Sequence, residues 1–168
     1  MSKVLYVMRH AKSDWSEPGL ADIDRGLKKR GRRAAKTMGR WALDEGCVPD
    51  LVICSPARRA RMTAKRFCAA CEFDGEVIYQ DSLYGGGVEA HYRAAAYLGQ
   101  DAERVMLIGH NPTCEEIAQD LTRRLTHVTT ANILGFDLSI DDWRQLAENA
   151  CCGVLTFHVR PHDVSDDI

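Results

Sequence analysis

The chain has 168 residues, of which 45% are hydrophobic and 27% are charged, and its formal net charge is −2. This composition is typical of a globular protein, and we expect one domain over residues 1–168. The sequence contains no run of about 18 uncharged apolar residues and no signal-peptide pattern. We therefore expect a soluble, cytoplasmic protein with no membrane partner.

Cysteine usage also favours the cytoplasm. The seven cysteines are an odd number, and nothing else in the sequence indicates secretion, so we expect free thiols. Cys68 and Cys71 form a C-x-x-C pair, but no second pair stands at zinc-finger spacing. The sequence therefore predicts no metal site, and Cys151 and Cys152 are expected to pack beside a strand.

Charge is distributed unevenly along the chain. Six cations lie between Arg25 and Arg33, whereas Asp163, Asp166 and Asp167 make the C-terminal segment acidic. The basic run is consistent with a solvated helix face and equally with attraction of phosphate-bearing substrates. Both interpretations remain open on sequence grounds.

The N-terminal half alternates between strand and helix patterns. An apolar, β-branched run predicts a strand at residues 3–8, and residues 13–26 lack periodicity and predict a loop. Helical spacing follows over residues 27–45, and Gly46 is suited to a left-handed helix end. After a second strand at 50–54, Ser55 as N-cap and Pro56 at the first helical position predict a helix to about Cys71.

The C-terminal half continues this alternation. Gly99 is expected to end a helix over residues 88–98. Thr113 and Glu116 form a capping-box pattern that predicts a later helix to about Leu125. The predicted elements are strand 76–79, helix 88–98, strand 104–108, helix 113–125, strand 133–138, helix 141–148 and strand 153–159. Such alternation predicts an α/β layered fold with a mostly parallel sheet, in which ligands bind beyond the carboxyl ends of the strands.

Residues suited to phosphate chemistry follow three of the predicted strands. Arg9 and His10 follow the first, residues 55–59 (SPARR) the second, and residues 109–111 (GHN) the fourth. Because the carboxyl ends of parallel strands meet at one edge of a sheet, these groups are expected to share a rim. Two histidines and three arginines there indicate a catalytic site.

These segments resemble the histidine phosphatase superfamily, in its short SixA-type branch. Residues 9–13 (RHAKS) are similar to the family signature, and residues 55–64 (SPARRARMTA) to its second arginine motif. Residues 108–112 (IGHNP) resemble the segment with the second histidine. Residues 24–27 (DRGL) resemble the loop before the first helix, although the family more often has Pro where Gly26 stands.

The resemblance implies a phosphoglycerate-mutase-like, three-layer α/β sandwich and a phosphatase without metal or cofactor. It assigns His10 as the nucleophile that becomes phosphorylated and Arg9, Arg59 and His110 as groups that stabilise the phosphoryl charge. These roles meet the chemical need, because a nucleophilic imidazole must be neutral and nearby arginines disfavour its protonated form. Fixed guanidiniums are natural stabilisers of the equatorial oxygens in phosphoryl transfer.

Further side chains are candidates for other roles. Arg58 replaces Arg59 as phosphate ligand if the helix starts one residue differently, but the family spacing favours Arg59. Arg25, Lys12 and Asn111 are candidates for substrate binding, and a solvated role is equally compatible with Arg25 and Lys12. The remaining histidines are interpreted as surface or structural residues: His91, His127, His158 and His162.

No general acid stands out. Many superfamily members carry an acidic residue after the third strand, and Asp81 is the carboxylate in that stretch, so it is the candidate acid or base. Asp14 and Glu17 are alternatives for activating water. The phosphohistidine branch is generally poor in such an acid, which fits an imidazole leaving group, because imidazole leaves a phosphoramidate more easily than an alkoxide leaves an ester.

The sequence therefore favours a phosphohistidine phosphatase acting on a phosphorylated protein, such as a histidine phosphotransfer domain. The alternative is a phosphatase for small phosphorylated metabolites. A mutase is disfavoured because the chain lacks long insertions that would enclose a sugar phosphate. Nucleic-acid binding is also disfavoured, because the total charge is not basic and no recognised module is present.

Overall fold

The computed structural model describes residues 2–148 and 152–164. These residues form six strands and four α-helices. The strands are β1 (Lys3–Arg9), β2 (Leu51–Cys54), β3 (Glu76–Tyr79), β4 (Arg104–Gly109), β5 (Ile133–Leu138) and β6 (Gly153–Val159). The α-helices are α1 (Lys29–Asp44), α2 (Arg58–Ala70), α3 (Gly87–Leu98) and α4 (Thr113–Thr122).

The strands form one sheet in the order β3-β2-β4-β1-β5-β6. The pairs β1/β4, β2/β4 and β2/β3 are parallel, whereas β5 runs antiparallel to β1 and β6 antiparallel to β5. The predicted, mostly parallel sheet is therefore confirmed. Since α1 and α2 each follow a parallel strand and return across the sheet, both helices begin at its carboxyl edge.

Alternation along the strands produces two apolar cores, one on each face of the sheet. In β1, Leu5 and Val7 pack in the core that contains α3 and α4 residues, whereas Tyr6 and Met8 pack in the core that contains α1 and α2 residues. The central strand β4 divides in the same way, with Leu107 and Met106 on opposite faces. The three-layer sandwich is thereby confirmed.

The start of α2 differs from the prediction. The helix begins at Arg58 after Ala57, and no side chain caps it. The hydroxyl of Ser55, the predicted N-cap, instead lies 2.7 Å from Nε2 of His110 and accepts the Ala57 N–H at 3.3 Å. The predicted helix start was wrong because the strand-to-helix turn directs this hydroxyl toward a second strand end.

The ends of α4 also differ. Pro112 precedes the helix and no side-chain cap forms, so the capping box predicted at Thr113 and Glu116 was wrong. The helix ends at Thr122, where Arg123 takes a left-handed conformation with φ of 60°. By contrast, Gly46 has the predicted left-handed conformation, with φ of 68°.

Shorter elements complete the structure. The predicted loop at 13–26 contains a 3-10 helix at Asp22–Asp24, and the short C-terminal helix is a 3-10 helix at Trp143–Ala147. Cys152 is buried, as expected for a thiol beside a strand, whereas Cys151, Asp166 and Asp167 lie outside the described residues. Within the described ranges, no helix combines the length and the apolar character needed to span a membrane.

Candidate active site

Strand register brings two histidines together at the carboxyl edge of the sheet. Arg9 lies opposite Gly109 in the parallel β1/β4 pair, so the residues that follow leave the sheet side by side. The His10 N–H donates to the Gly109 carbonyl at 2.9 Å. As a result, the ring centroids of His10 and His110 lie 5.1 Å apart.

Hydrogen bonding determines which nitrogen of His10 carries the proton. Nδ1 lies 2.7 Å from the Ala11 carbonyl oxygen, which only accepts, so Nδ1 donates and Nε2 keeps its lone pair. The Ala11 N–H donates to Thr63 Oγ1 at 3.0 Å, and that hydroxyl donates to the Arg59 carbonyl at 2.7 Å. The loop that follows His10 is therefore tied to the first turns of α2.

The environment of His10 keeps its imidazole neutral. Burial lowers the pKa of His10 to about 3, and the charges of Arg59 and Arg9 act in the same direction. The hydrogen bond to Ala11 opposes the shift but is outweighed. An uncharged ring with a free Nε2 lone pair is the form that can act as a nucleophile.

His110 is held in a similar state by a different contact. Its Nε2 lies 2.7 Å from the Ser55 hydroxyl, and the Tyr84 ring packs edge-on with a centroid distance of 5.7 Å. Burial, followed by the charge of Arg59, lowers the pKa of His110 to about 4. Both imidazoles at the rim are therefore neutral near pH 7.

Three buried nitrogens at this rim have no hydrogen-bond partner among the described residues. They are Nε of Arg9, Nε of Arg59 and Nδ1 of His110. A buried unpaired donor costs free energy, so native proteins hold few of them without a functional reason. Because the charges of both arginines lower the pKa of both imidazoles, the four groups lie near one another at this rim. The arrangement suits an anion with several oxygen atoms.

Asp22 organises the outer side of this rim and was missed by the sequence analysis. Arg59 donates from Nη1 to the Asp22 carbonyl at 2.7 Å and from Nη2 to Oδ2 at 3.0 Å. The Tyr84 hydroxyl donates to the same Oδ2 at 2.6 Å, and Arg25 donates to Oδ1 from Nε and Nη2. The Tyr84 hydrogen bond, followed by those from the arginines, holds the pKa of Asp22 well below its usual range.

Arg25 is a structural member of this outer network. Its Nη1 donates to the Ser13 hydroxyl at 2.6 Å, and its guanidinium stacks 3.5 Å from the centroid of the Trp15 ring. All three of its nitrogens thus bind protein atoms. Trp15 remains 69% exposed and presents an aromatic surface at the rim.

The other predicted substrate-binding residues, Lys12 and Asn111, contact protein groups outside the histidine pair. The main chain of Lys12 supports α1, and its side chain lines a separate cavity of about 470 Å³ with Arg30 and Thr129. Asn111 donates from Nδ2 to Glu115 Oε1 and to the Val128 carbonyl, both at 2.9 Å. Arg9 Nη1 donates to the same carbonyl at 3.0 Å, so Asn111 supports the segment that positions Arg9.

Asp81 forms no contact with the histidine pair among the described residues. Its side chain is exposed at the start of the 3-10 helix Asp81–Leu83 and forms no hydrogen bond or ion pair within the described residues. The same stretch instead contributes Tyr84 to the rim. Asp14 and Glu17 line a cavity of about 190 Å³ that they share with Arg58. The rim carboxylate in contact with Arg59 is Asp22.

The two adjacent arginines at the start of α2 have different environments. Arg59 is buried, whereas Arg58 is exposed and reaches only the Asp24 carbonyl at 3.5 Å. Residues about 100° apart on a helix face different directions, so only one of two neighbours can enter the site. The structure brings Arg59 to the histidine pair and leaves Arg58 outside.

The remaining histidines have local partners. His91 is buried, and its Nδ1 donates to the Gly87 carbonyl at 2.6 Å, which makes it structural rather than a surface residue. His127, His158 and His162 contact Glu115, Asn132 and Asp163, respectively. Over residues 2–148 and 152–164, no group of three or more His, Cys, Asp or Glu side chains is placed to hold a metal ion.

Comparison with known proteins identifies the family. Residues 5–92, more than half of the chain, match the family model of the histidine phosphatase superfamily (branch 1). The chain is also 32% identical over 133 residues to an uncharacterised protein from Mycobacterium tuberculosis, a match that covers 79% of this chain and 75% of the relative. The chain therefore belongs to the histidine phosphatase superfamily and is a hydrolase of the phosphatase class.

Solved structures define the branch. A SixA protein from Nakamurella multipartitia superimposes with a TM-score of 0.83 at 29% identity, covering 96% of this chain and 97% of that chain. A SixA protein from Agrobacterium tumefaciens gives 0.80 at 26% identity, covering 96% and 99%. Within the superfamily, the chain belongs to the SixA-type branch and has the phosphoglycerate-mutase-like fold.

Proposed function

We propose that the protein hydrolyses the P–N bond of phosphohistidine on a protein, through a covalent intermediate on His10 and without a metal ion. The observation that carries the proposal is the neutral His10 ring with a free Nε2 lone pair, at a rim that also holds the buried, unpaired Nε atoms of Arg9 and Arg59. The similarity to the Nakamurella SixA protein, for which a phosphohistidine phosphatase activity has been suggested, supports the same substrate class.

In the first step, His10 Nε2 attacks phosphorus and forms a new P–N bond. The P–N bond of the substrate breaks, and the departing imidazole of the substrate takes up a proton. Nδ1 of His10 keeps its proton and its hydrogen bond to Ala11, which stabilises the phosphorylated ring. In the second step, water attacks phosphorus, Nε2 recovers its lone pair, and orthophosphate leaves.

Charge on the transferring phosphoryl group is met by fixed donors. Nε of Arg9 and Nε of Arg59 are buried and unpaired, so they are available to the equatorial oxygens without breaking another hydrogen bond. Arg59 is held in place through its other two nitrogens by Asp22. Such preorganisation is the main way in which enzymes stabilise developing charge.

We assign His110 as a hydrogen-bond donor to the phosphoryl oxygens. The Ser55 hydroxyl already accepts the Ala57 N–H, so its own proton can be donated to His110 Nε2. The ring proton of His110 then resides on Nδ1, the nitrogen with no partner among the described residues. Ser55 would thus select the tautomer in which His110 acts as a donor.

The leaving group distinguishes a phosphoramidate from an ester. An alkoxide needs a strong proton donor, whereas imidazole leaves readily once protonated from solvent. The rim carboxylate Asp22 is held ionised and cannot supply a proton, and the exposed side chain of Asp81 forms no contact with either histidine among the described residues. These features favour phosphohistidine over the small phosphate esters that form the alternative.

The proposed setting is the cytoplasm, with a phosphorylated protein, such as a histidine phosphotransfer domain, as substrate. Five cysteines of the described residues are free thiols, as expected in a reducing compartment: Cys47, Cys54, Cys68, Cys71 and Cys114.

Substrate competition tests the proposal. The purified protein should hydrolyse a phosphohistidine peptide at least about tenfold more efficiently, in kcat/KM, than phosphoserine or a sugar phosphate, which corresponds to about 1.4 kcal/mol. Excess EDTA should leave the rate unchanged, because guanidiniums rather than a metal neutralise the phosphoryl charge. A preference of about tenfold or more in kcat/KM for an ester would overturn the proposed substrate class.

A trapping experiment tests the covalent route separately. Quenching labelled substrate at neutral or alkaline pH should leave phosphate on the peptide that contains His10. His110→Ala should slow turnover without moving the label to another residue. Label on Ser13, Ser55 or a cysteine, or loss of activity in EDTA restored by a divalent ion, would contradict the mechanism.

A further inference from the structure

The helices on one face of the sheet carry most of their charge as cations. α1 contains six Lys or Arg residues and one acid, Asp44 at its last position, and α2 contains five Lys or Arg residues and no acid. The whole chain nevertheless has a net charge of −2. Positive charge is therefore concentrated on the face formed by these two helices, and it produces a local field that the net charge conceals.

A groove runs between the two helices, which we term the basic groove. It has a volume of about 580 Å³, and its floor includes Ala69 and Ala70. All of its charged lining residues are cations: Lys29, Arg32, Arg33, Lys36 and Arg66. None of these five forms an ion pair with a carboxylate of the described residues. An anion bound in the groove would relieve this mutual repulsion.

The basic groove begins close to the histidine rim. Both helices start at the carboxyl edge of the sheet, and the first turn of α1 packs on the loop that follows His10. The Lys28 N–H donates to the Lys12 carbonyl at 2.9 Å, and a Cβ on Gly31 would come within 2.2 Å of the same oxygen. Arg32 lines both the groove and a neighbouring cavity that includes Arg58, next to Arg59.

Most of the cations of the groove are spread along the axis of α1. Lys29 and Lys36 are seven residues apart on α1, which corresponds to about 10 Å along the helix axis. A bound chain can therefore contact cations along the groove while one of its ends reaches the rim. This geometry matches a substrate that carries its reactive group a few residues from an acidic stretch.

We propose that the basic groove docks an acidic segment of the phosphorylated protein substrate and thereby delivers the phosphorylated histidine to His10. This inference rests on the proposed function. A protein segment fits better than nucleic acid, because the chain carries no recognised nucleic-acid module and its net charge of −2 is not basic. The alanine floor accepts aliphatic parts of a peptide side chain, and the volume suits a short segment.

Matched peptides test this docking directly. Two peptides carry one phosphohistidine, flanked in one case by glutamates and in the other by glutamines. The protein should prefer the glutamate peptide by about tenfold in kcat/KM at low salt, and about 0.5 M NaCl should largely abolish that preference. The double variant Arg33→Glu/Lys36→Glu should lose the preference and keep its rate on the glutamine peptide.

The control variant is Arg93→Glu/Arg124→Glu, which makes the same change in net charge away from the groove. Both side chains are exposed, and the Arg93–Glu89 pair it breaks lies at the surface, so the control should fold and keep the preference. Failure of the protein to hydrolyse either peptide would overturn the proposed function itself. Equal rates on both peptides, or a preference that survives in the groove variant, would overturn only the docking inference. Stronger competition by single-stranded DNA than by an unphosphorylated glutamate peptide would assign the groove to nucleic acid and also overturn it.

Discussion

The inner and outer sides of the rim differ in whether their polar groups have hydrogen-bond partners. On the inner side, beside His10, buried nitrogens of Arg9, Arg59 and His110 have no partner among the described residues. On the outer side, Asp22 accepts hydrogen bonds from both neighbouring arginines and from Tyr84. The inner side therefore contains polar groups without hydrogen-bond partners, whereas the polar groups of the outer side bind one another.

Arg59 connects the two sides. Its Nη1 and Nη2 bind Asp22, while its Nε is left for the inner side. A buried unpaired donor costs about 1–3 kcal/mol of folding free energy. The surrounding structure must therefore hold these unpaired nitrogens in place. We infer that the outer network provides this support and that the inner side performs the chemistry, and four measurements can challenge the division.

The largest effect is expected from removing the nucleophile. His10→Ala should lower kcat/KM on a phosphohistidine peptide by more than about 100-fold, since losing a nucleophile should exceed a typical acid–base contribution. The fold should persist, because the change removes one hydrogen bond, to Ala11. Steady-state kinetics and far-UV circular dichroism measure both quantities. His127→Ala, at an exposed position, is the matched control, and retained activity in the His10 variant would remove His10 from the covalent role.

The next largest effect should separate two adjacent arginines. Arg59→Ala should reduce kcat by about 100-fold or more, because it removes a preorganised donor from the phosphoryl group. Arg58→Ala, at an exposed position, should change kcat by less than about twofold. The same assay on both variants makes the comparison, and greater damage in the Arg58 variant would reverse the assignment.

A smaller effect is expected from the outer side. Asp22→Asn should lower kcat/KM by about tenfold, or about 1.4 kcal/mol, because Arg59 loses the charge that orients it. Tyr84→Phe should act in the same direction but more weakly. The distinguishing readout is inhibition by orthophosphate. Inhibition should weaken in Asp22→Asn if Asp22 positions Arg59, whereas stronger inhibition would show that Asp22 competes with phosphate and would contradict a supporting role.

The smallest effect is expected from pH near neutrality. Because burial lowers the pKa of His10 to about 3 and of His110 to about 4, protonation of these rings should not limit kcat/KM between pH 8 and about 5. The rate should fall only below that range. A midpoint attributable to the enzyme near pH 6.5 would show that one of the rings titrates normally.

The same pKa values predict how stability depends on pH. Both rings titrate lower in the folded protein than the value of about 6.5 expected in the unfolded chain. The unfolded state therefore binds more protons at mildly acidic pH, so the free energy of unfolding should decline as pH falls from about 6.5 toward 4. Urea denaturation at several pH values measures this decline, and His10→Ala should reduce it.

Sequence reasoning was most successful where local pattern and chain direction suffice. The apolar runs before Arg9 and His110 identified β1 and β4, and the rule for parallel sheets correctly predicted that their ends meet. It was least successful where one side chain has two possible partners. Ser55 has the features of a helix N-cap, yet its hydroxyl lies at His110, because the register of β2 against β4 brings that ring within 2.7 Å.

Asp22 is a second residue whose role could not be predicted from the sequence. It lies in an aperiodic loop with several other acids, and nothing local distinguishes it from Asp14 or Asp24. Only the path of the loop past the start of α2 brings its carboxylate to Arg59, which lies 37 residues later in the chain. Asp81 had the more suggestive position in sequence, but the turn after β3 leaves it exposed and brings Tyr84 to the rim instead.

The sequence by itself thus determined the layered α/β architecture and the strand ends where the candidate catalytic groups lie, because hydrophobic periodicity and chain direction are encoded locally. The tertiary structure decided which hydrogen bonds those groups form, which of two adjacent arginines is buried, and which carboxylate meets it. These outcomes depend on distances between segments that are remote in the chain. A hydrogen bond requires atoms within about 3 Å of each other, and only the packed sheet and helices bring them that close.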